Sequence, residues 1–125
     1  MLESGITLMA GSDAAALNTY VYPAESLLQE LEIFADAGLS SLQILQSATL
    51  AGAKYFKVQD RTASIQKNKD ADLVLLDANP LEDIRNLRKV YGVIKKGTYY
   101  NREKLDAMLA SAKATKEKLD QKRAQ

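Results

Sequence analysis

Ala71-Asp72-Leu73-Val74-Leu75-Leu76-Asp77 sets four large apolar residues between two aspartates, and Asn79-Pro80 follows as a turn signal. An apolar run this short, bounded in this way, reads as a strand, and it marks where the chain passes from helical to extended character. Downstream, Val90-Tyr91-Gly92-Val93-Ile94 and Thr98-Tyr99-Tyr100 are further strands, rich in β-branched and aromatic residues. Lys96-Gly97 between them fits a tight hairpin turn. Residues 81–87 are expected to hold one short helical turn. On the upstream side Ala63-Ser64-Ile65 is also strand-like, and the change of character begins near Asp60.

The first half reads differently. Ile6-Thr7-Leu8-Met9-Ala10 is a short, partly β-branched apolar run ending at Gly11-Ser12-Asp13, the pattern of a strand buried on both faces and then a sharp stop. Residues 14–22 are mostly small or polar, with two tyrosines, which indicates a loop with room for a short turn of helix. Pro23 at a first helical position opens a helix with Leu27, Leu28, Leu31 and Phe34 on one stripe, closed by Gly38. Ser40 or Ser41 caps a second helix carrying Leu42, Ile44 and Leu45, and Thr49 a third running to about Phe56. Asn101 is an N-cap for a last helix over residues 102–125, where Leu105, Met108, Leu109 and Ala112 share a docking face. Its second half has Leu119 as its one large apolar residue and is expected to be solvated, with Lys113/Glu117 and Lys116/Asp120 as weak pairs. A coiled coil needs heptads sustained over three or four repeats, which this helix lacks. The fold class is α+β.

With 125 residues, 46% of them hydrophobic and 26% charged, the chain has the composition of one globular domain with a real core. Its formal net charge is +1; residues 102–125 hold seven basic and four acidic groups, and the remainder is mildly acidic. An asymmetry this small does not suggest nucleic acid or an anionic membrane as a partner. The absence of cysteine removes disulfides, thiolate metal sites and cysteine nucleophiles. No apolar run approaches the roughly 20 residues that span a bilayer, and residues 1–5 lack the features of a signal peptide. A cytoplasmic and an exported location both stay open.

Several pieces now fall into one order: Gly11-Ser12-Asp13 after an apolar run; Glu30-Leu31-Glu32-Ile33-Phe34 followed by Ala37-Gly38-Leu39-Ser40; Ile44-Leu45 with Ala48-Thr49 and Ala51. Then come Ser64-Ile65, the run from Lys69 to Asp77, Asn79-Pro80-Leu81-Glu82-Asp83-Ile84 and Val93-Ile94-Lys95-Lys96-Gly97. Each alone is weak, but together, across about residues 5–100, they resemble the amidohydrolase superfamily, particularly the branch of imidazolonepropionase-like enzymes and related dipeptidases. The resemblance implies that residues 1–59 are the C-terminal end of a (β/α)8 barrel, its last strand and helices. Residues 60–101 would be part of a small antiparallel β-sandwich, and residues 102–125 a C-terminal helix.

In that family the aspartate ending the last barrel strand binds the catalytic metal or sits beside it, and relays a proton from the activated water to the leaving amine. Asp13 matches that position, so the resemblance makes it both the catalytic and the metal-site residue. A carboxylate suits the task because it accepts a hydrogen bond from the water, takes its proton and passes it to nitrogen. The C-terminal end of a barrel strand is also where such barrels keep their active sites. The plainer role for Asp13 is a turn or helix cap; the surrounding pattern favours catalysis.

Two departures from the family bear on function. The usual Gly-x-Ile-x-x-Gly turn appears as Ala63-Ser64-Ile65-Gln66-Lys67-Asn68, in which Asn68 tolerates a left-handed backbone and Ala63 does not. Leu28 and Gln29 stand where a histidine often lies. More important, the family's metals, a divalent ion such as zinc, are held largely by histidines, and this chain contains none. A barrel of that type needs about 250 residues. The expectation is therefore a C-terminal fragment of a metal-dependent amidohydrolase acting on non-peptide or dipeptide C–N bonds, inactive alone and binding no metal tightly. Its substrate would be a small amide or dipeptide. The rival is a non-enzymatic α/β binding or assembly module derived from such a tail. Ser12 and Ser26 have no histidine partner, and Asp70, Asp72 and Asp77 lack the glycine and terminal glutamate of a calcium loop. Exposed edges at Ile6, Leu8, Met9 and Leu73 to Leu76 predict a homo-oligomer.

Overall fold

The computed structural model describes residues 6–13 and 22–123. The expected loop at residues 14–22 lies, except for Tyr22, outside the described residues. The elements run α1 (Glu25–Asp36), α2 (Ser41–Ala48), α3 (Leu50–Tyr55), β1 (Leu73–Leu76), a 3-10 helix (Ile84–Arg88), β2 (Val90–Lys95), β3 (Thr98–Asn101) and α4 (Arg102–Arg123). They belong to two compact units: Met1–Asp70 with Leu76–Lys89, and Ala71–Leu75 with Val90–Gln125. Among the described residues no helix is long and apolar enough to cross a membrane.

In the first unit α1 begins two residues later than the proline suggested. Pro23 lies in the preceding turn, and Ala24, at the N-cap with φ 71, has no side chain that could accept a capping hydrogen bond. The other end follows the sequence: Gly38 takes φ 93, its N–H donates to Ala35 O (2.9 Å), and Leu39 N–H donates to Phe34 O (3.1 Å). This double closure needs a left-handed residue, which glycine supplies without strain. Ser40 then caps α2: its Oγ accepts from Gln43 N–H while the Gln43 side chain accepts from Ser40 N–H. Thr49 stands at the start of α3 but does not cap it, because its hydroxyl donates back to Leu45 O (2.6 Å). The stripes of α1 and α2 meet Ile84 in a small core of Leu31, Ile44 and Ile84, with Leu27, Phe34, Leu45, Leu87 and Ala10 packed around it.

Arg88 ties the 3-10 helix to α1. Its guanidinium donates to Glu32 (Nε to Oε1, 2.7 Å) and to both oxygens of Glu25 (3.0 Å), one face of the helix seven residues apart, and Arg85 adds Asp36 at 3.0 Å. The hydrogen bonds from Arg88 hold both glutamates below the usual carboxylate range. A carboxylate whose native pKa is lowered contributes stability that is complete above its unfolded pKa and lost as pH falls through the native one. Unfolding midpoints at about pH 6 and about pH 3 are therefore expected to differ more for the natural chain than for Arg88→Met; equal differences would show that the pairs contribute nothing.

Two stretches expected as strands are not. Residues 6–10 join no ladder among the described residues, because no strand lies beside them, and Ile6, Leu8 and Met9 stay exposed. Ala63 and Ser64 form bends and Ile65 joins no ladder, and the reason is the backbone: Ala63 has φ 67 and Asn68 φ 70. A left-handed backbone costs a non-glycine residue about 1–2 kcal/mol, and glycine returns roughly half of that in unfolded-state entropy. Ala63→Gly is thus expected to stabilise the chain by up to about 1 kcal/mol, seen as a rise of a few degrees in melting temperature. A fall would mean that the methyl group packs better than the turn is strained.

In the second unit the sheet order is β1-β2-β3, and β2 pairs antiparallel with β3 in the register Gly92 to Asn101 and Lys95 to Thr98. Lys96 and Gly97 both have positive φ (49 and 79), as the tight turn requires. Asp72 fastens that turn to β1: it accepts from Lys96 N–H (2.7 Å) and from the Lys95 ammonium, whose hydrogen bond keeps its carboxyl acidic. Gly92 is buried because the Tyr99 ring lies across it; a Cβ there would stand 2.7 Å from a ring carbon. Asn101 caps α4 through Lys104 N–H (3.0 Å). The expected docking face is narrower than its sequence suggested: Leu105 is half-buried, whereas Met108 and Leu109 are 57% and 64% exposed. Lys116 and Asp120 pair at 2.6 Å in the solvated half.

Candidate functional site

Asp13 ends a backbone strap, residues 6–13, that is held against the first unit at two consecutive N–H groups. Ala10 N–H donates to Ser47 O on α2 (3.1 Å), and Ala10 itself packs on the Leu31, Ile44 and Ile84 core. Gly11 N–H donates to both carboxylate oxygens of Glu30 on α1, each at 3.1 Å. Ser47 is buried, with its hydroxyl donating to Ile44 O (2.7 Å), so the acceptor for Ala10 sits on a fixed turn of α2. On the outer side Met9 lies over α3, its sulfur 3.8 Å from where a Cβ on Gly52 would be.

Asp13 has φ 49, the left-handed region that aspartate and asparagine tolerate better than other side-chain-bearing residues, and its carboxylate is exposed. Asp13 thus presents an exposed carboxylate two residues beyond an anchored backbone N–H. Beneath the strap runs an open groove of about 280 Å³ lined by Ile6, Leu8, Leu39, Gln43, Ser47 and Lys54 among others. Asp13 is not part of that lining, so the groove and the carboxylate are separate features.

A divalent metal does not fit the donors present. Among the described residues no three His, Cys, Asp or Glu side chains come together as a metal-binding group, and the sequence supplies no imidazole. One exposed carboxylate is a single ligand, short of the three or four protein donors that hold zinc. The sequence pattern singles out Asp13 as a candidate but not the contacts that hold its strap. Glu30 was noticed only as part of a helical pattern, and no local signal links it to a backbone N–H nineteen residues earlier.

The amidohydrolase family model matches residues 1–99. A 5'-deoxyadenosine deaminase from Methanobrevibacter smithii is 30% identical over 84 residues, 63% of this chain and 19% of the deaminase. A Xaa-Pro dipeptidase with methionine bound in its active site superposes with a TM-score of 0.57 at 36% identity, covering 60% of this chain and 18% of the dipeptidase. A candidate prolidase from Bifidobacterium longum superposes with a TM-score of 0.67 at 30% identity over 89% of this chain and 28% of that one. The chain therefore spans 18% to 28% of the length of these relatives. The family match over most of the chain includes the strap, the helices that anchor it, β1, β2 and the start of β3, and on that ground the chain belongs to the amidohydrolase family.

Proposed function

We propose that this chain is the C-terminal portion of a metal-dependent amidohydrolase that cleaves C–N bonds in small non-peptide amides or dipeptides, with Asp13 as its proton-relay and metal-site aspartate. In this reading residues 1–59 end the barrel, residues 60–101 are part of the small β-sandwich, and residues 102–125 form an appended helix. The observation that carries it is the placement of Asp13: an exposed carboxylate two residues beyond a backbone N–H anchored by Glu30. Its chemistry follows from that exposure. The carboxylate takes a proton from the water that attacks the carbonyl carbon, and gives it to nitrogen as the C–N bond breaks, so the amine leaves neutral. The relatives named a deaminase and a dipeptidase support hydrolysis at carbon–nitrogen bonds as the reaction class. The metal, zinc being the first to test, would depend on histidines that this chain does not carry.

The isolated chain is expected to hydrolyse nothing and to bind zinc no more tightly than scattered surface carboxylates do. Calorimetric zinc titration, run beside an assay on dipeptides and N-acyl amino acids, tests both statements. Metal-dependent turnover at ordinary enzyme rates would overturn the reading of the chain as a portion of a larger active site. The exposed Ile6, Leu8 and Met9 extend the proposal to self-association of the chain into a homo-oligomer.

A further inference from the structure

We propose that Glu30 is the positioning residue for Asp13, acting through the Gly11 N–H; the inference rests on the reading of Asp13 as the reacting carboxylate. The three glutamates of α1 have different work. Glu25 and Glu32 lie on one face and hold Arg88. Glu30, roughly 140–160° further round at 100° per residue, is half-buried and turns both carboxylate oxygens to Gly11 N–H at 3.1 Å. A backbone N–H on an ionised carboxylate is a charge-assisted hydrogen bond, stronger than one between neutral groups.

Among the described residues the strap's other backbone tie is one residue away. Ala10 N–H to Ser47 O fixes the residue before, and beyond Gly11 only Ser12 intervenes before the left-handed Asp13. With the Gly11 bond made, two successive peptide planes are fixed, and the direction in which the chain leaves them is set. With it broken, Gly11 is a glycine with free φ and ψ, and the Asp13 carboxylate can wander by several ångströms. Proton transfer requires hydrogen-bond reach, and a misplacement of about 1 Å costs on the order of 10²-fold in rate. Glu30 touches no reacting atom in this arrangement. Its effect is to narrow where Asp13 can be.

The test begins on this chain, ¹⁵N-labelled, with Glu30→Ala and Glu30→Gln. In Glu30→Ala the Gly11 amide is expected to move upfield and to exchange with solvent at least about tenfold faster, the worth of one charge-assisted hydrogen bond, while the Ile44 amide stays where it was. Glu30→Gln keeps a carbonyl acceptor and should restore part of both signatures; it also serves if the alanine variant folds poorly. A Gly11 amide that is the same in the natural chain and both variants overturns the clamp. In the complete hydrolase Glu30→Ala should lower kcat about 10²-fold with KM nearly unchanged. The double variant Glu30→Ala/Asp13→Asn should then lose no more than Asp13→Asn alone, since a misplaced base and an absent one are the same fault. Losses that multiply would show that Glu30 acts by a separate route and overturn the proposal. If the Gly11 amide responds as expected but Asp13→Asn keeps its activity, the Asp13 reading fails and the anchoring bond stands, so the two failures are told apart.

Discussion

Asp13→Asn, made in a complete hydrolase that carries this chain, is expected to lower kcat by about 10²- to 10⁴-fold, the usual worth of a positioned acid–base group. Asparagine is the informative replacement because Asp13 has φ 49. Asparagine tolerates that backbone and keeps the size of the side chain, but it cannot take a proton from water. Alanine would add backbone strain of about 1–2 kcal/mol and mix a structural effect with a chemical one. Because the carboxylate is exposed, the folded chain gives up no buried contact, and the melting temperature should stay within a degree or so. The loss should appear in kcat and kcat/KM together, the mark of an interaction made in the transition state. A variant that keeps most of its kcat would return Asp13 to the role of a turn residue.

The largest effect on stability is expected at Ile44. It is 0% exposed, whereas its core partners Leu31 and Ile84 are each 3% exposed. Removing three carbons from such a site leaves a cavity and costs about 2–5 kcal/mol. A chain of this size has roughly 5–15 kcal/mol in all, and the first unit has only part of it, so Ile44→Ala should leave that unit largely unfolded at modest denaturant concentrations. Ile44→Val, with one methyl fewer, should cost about 0.5–1.5 kcal/mol and stay folded. Urea titration of both variants checks the pair; equal, small losses would mean that the α1–α2 interface can collapse around the gap. Such a loss should also release the strap, since Ala10 packs on this core.

What the sequence disclosed follows the range of the interactions involved. Gly38, Ser40 and Asn101 were legible because a cap is settled within four or five residues: Gly38 closes α1, and Ser40 and Asn101 open α2 and α4. The hairpin at Lys96-Gly97 was legible for the same reason. Residues 6–10 form no ladder among the described residues because a strand exists only with a neighbour, and a short apolar run says nothing about whether one is there. Ala63 was recognised as an ill-suited residue, yet the segment around it was still read as extended; two positive φ values in six residues bend it away from any ladder. At the candidate site the carboxylate itself was visible through the family pattern. Its support was not, since the bond from Gly11 to Glu30 joins residues nineteen apart and leaves no periodic trace.

The order in which the two units take their residues from the chain sets a timetable for synthesis. The first unit gives up the chain after Asp70 and resumes at Leu76, so Ala71–Leu75 emerge while that unit is still incomplete. Their partners in the sheet arrive only when β2 has been made, and the hairpin closes only after β3, about 25 residues beyond β1. At roughly 5–20 residues per second, Leu73, Val74 and Leu75 wait on the order of a few seconds with their backbone groups unpaired. During that interval a nascent chain carries an apolar strand edge of its own making. Slowing translation over residues 77–101 lengthens that exposure, and speeding it shortens it.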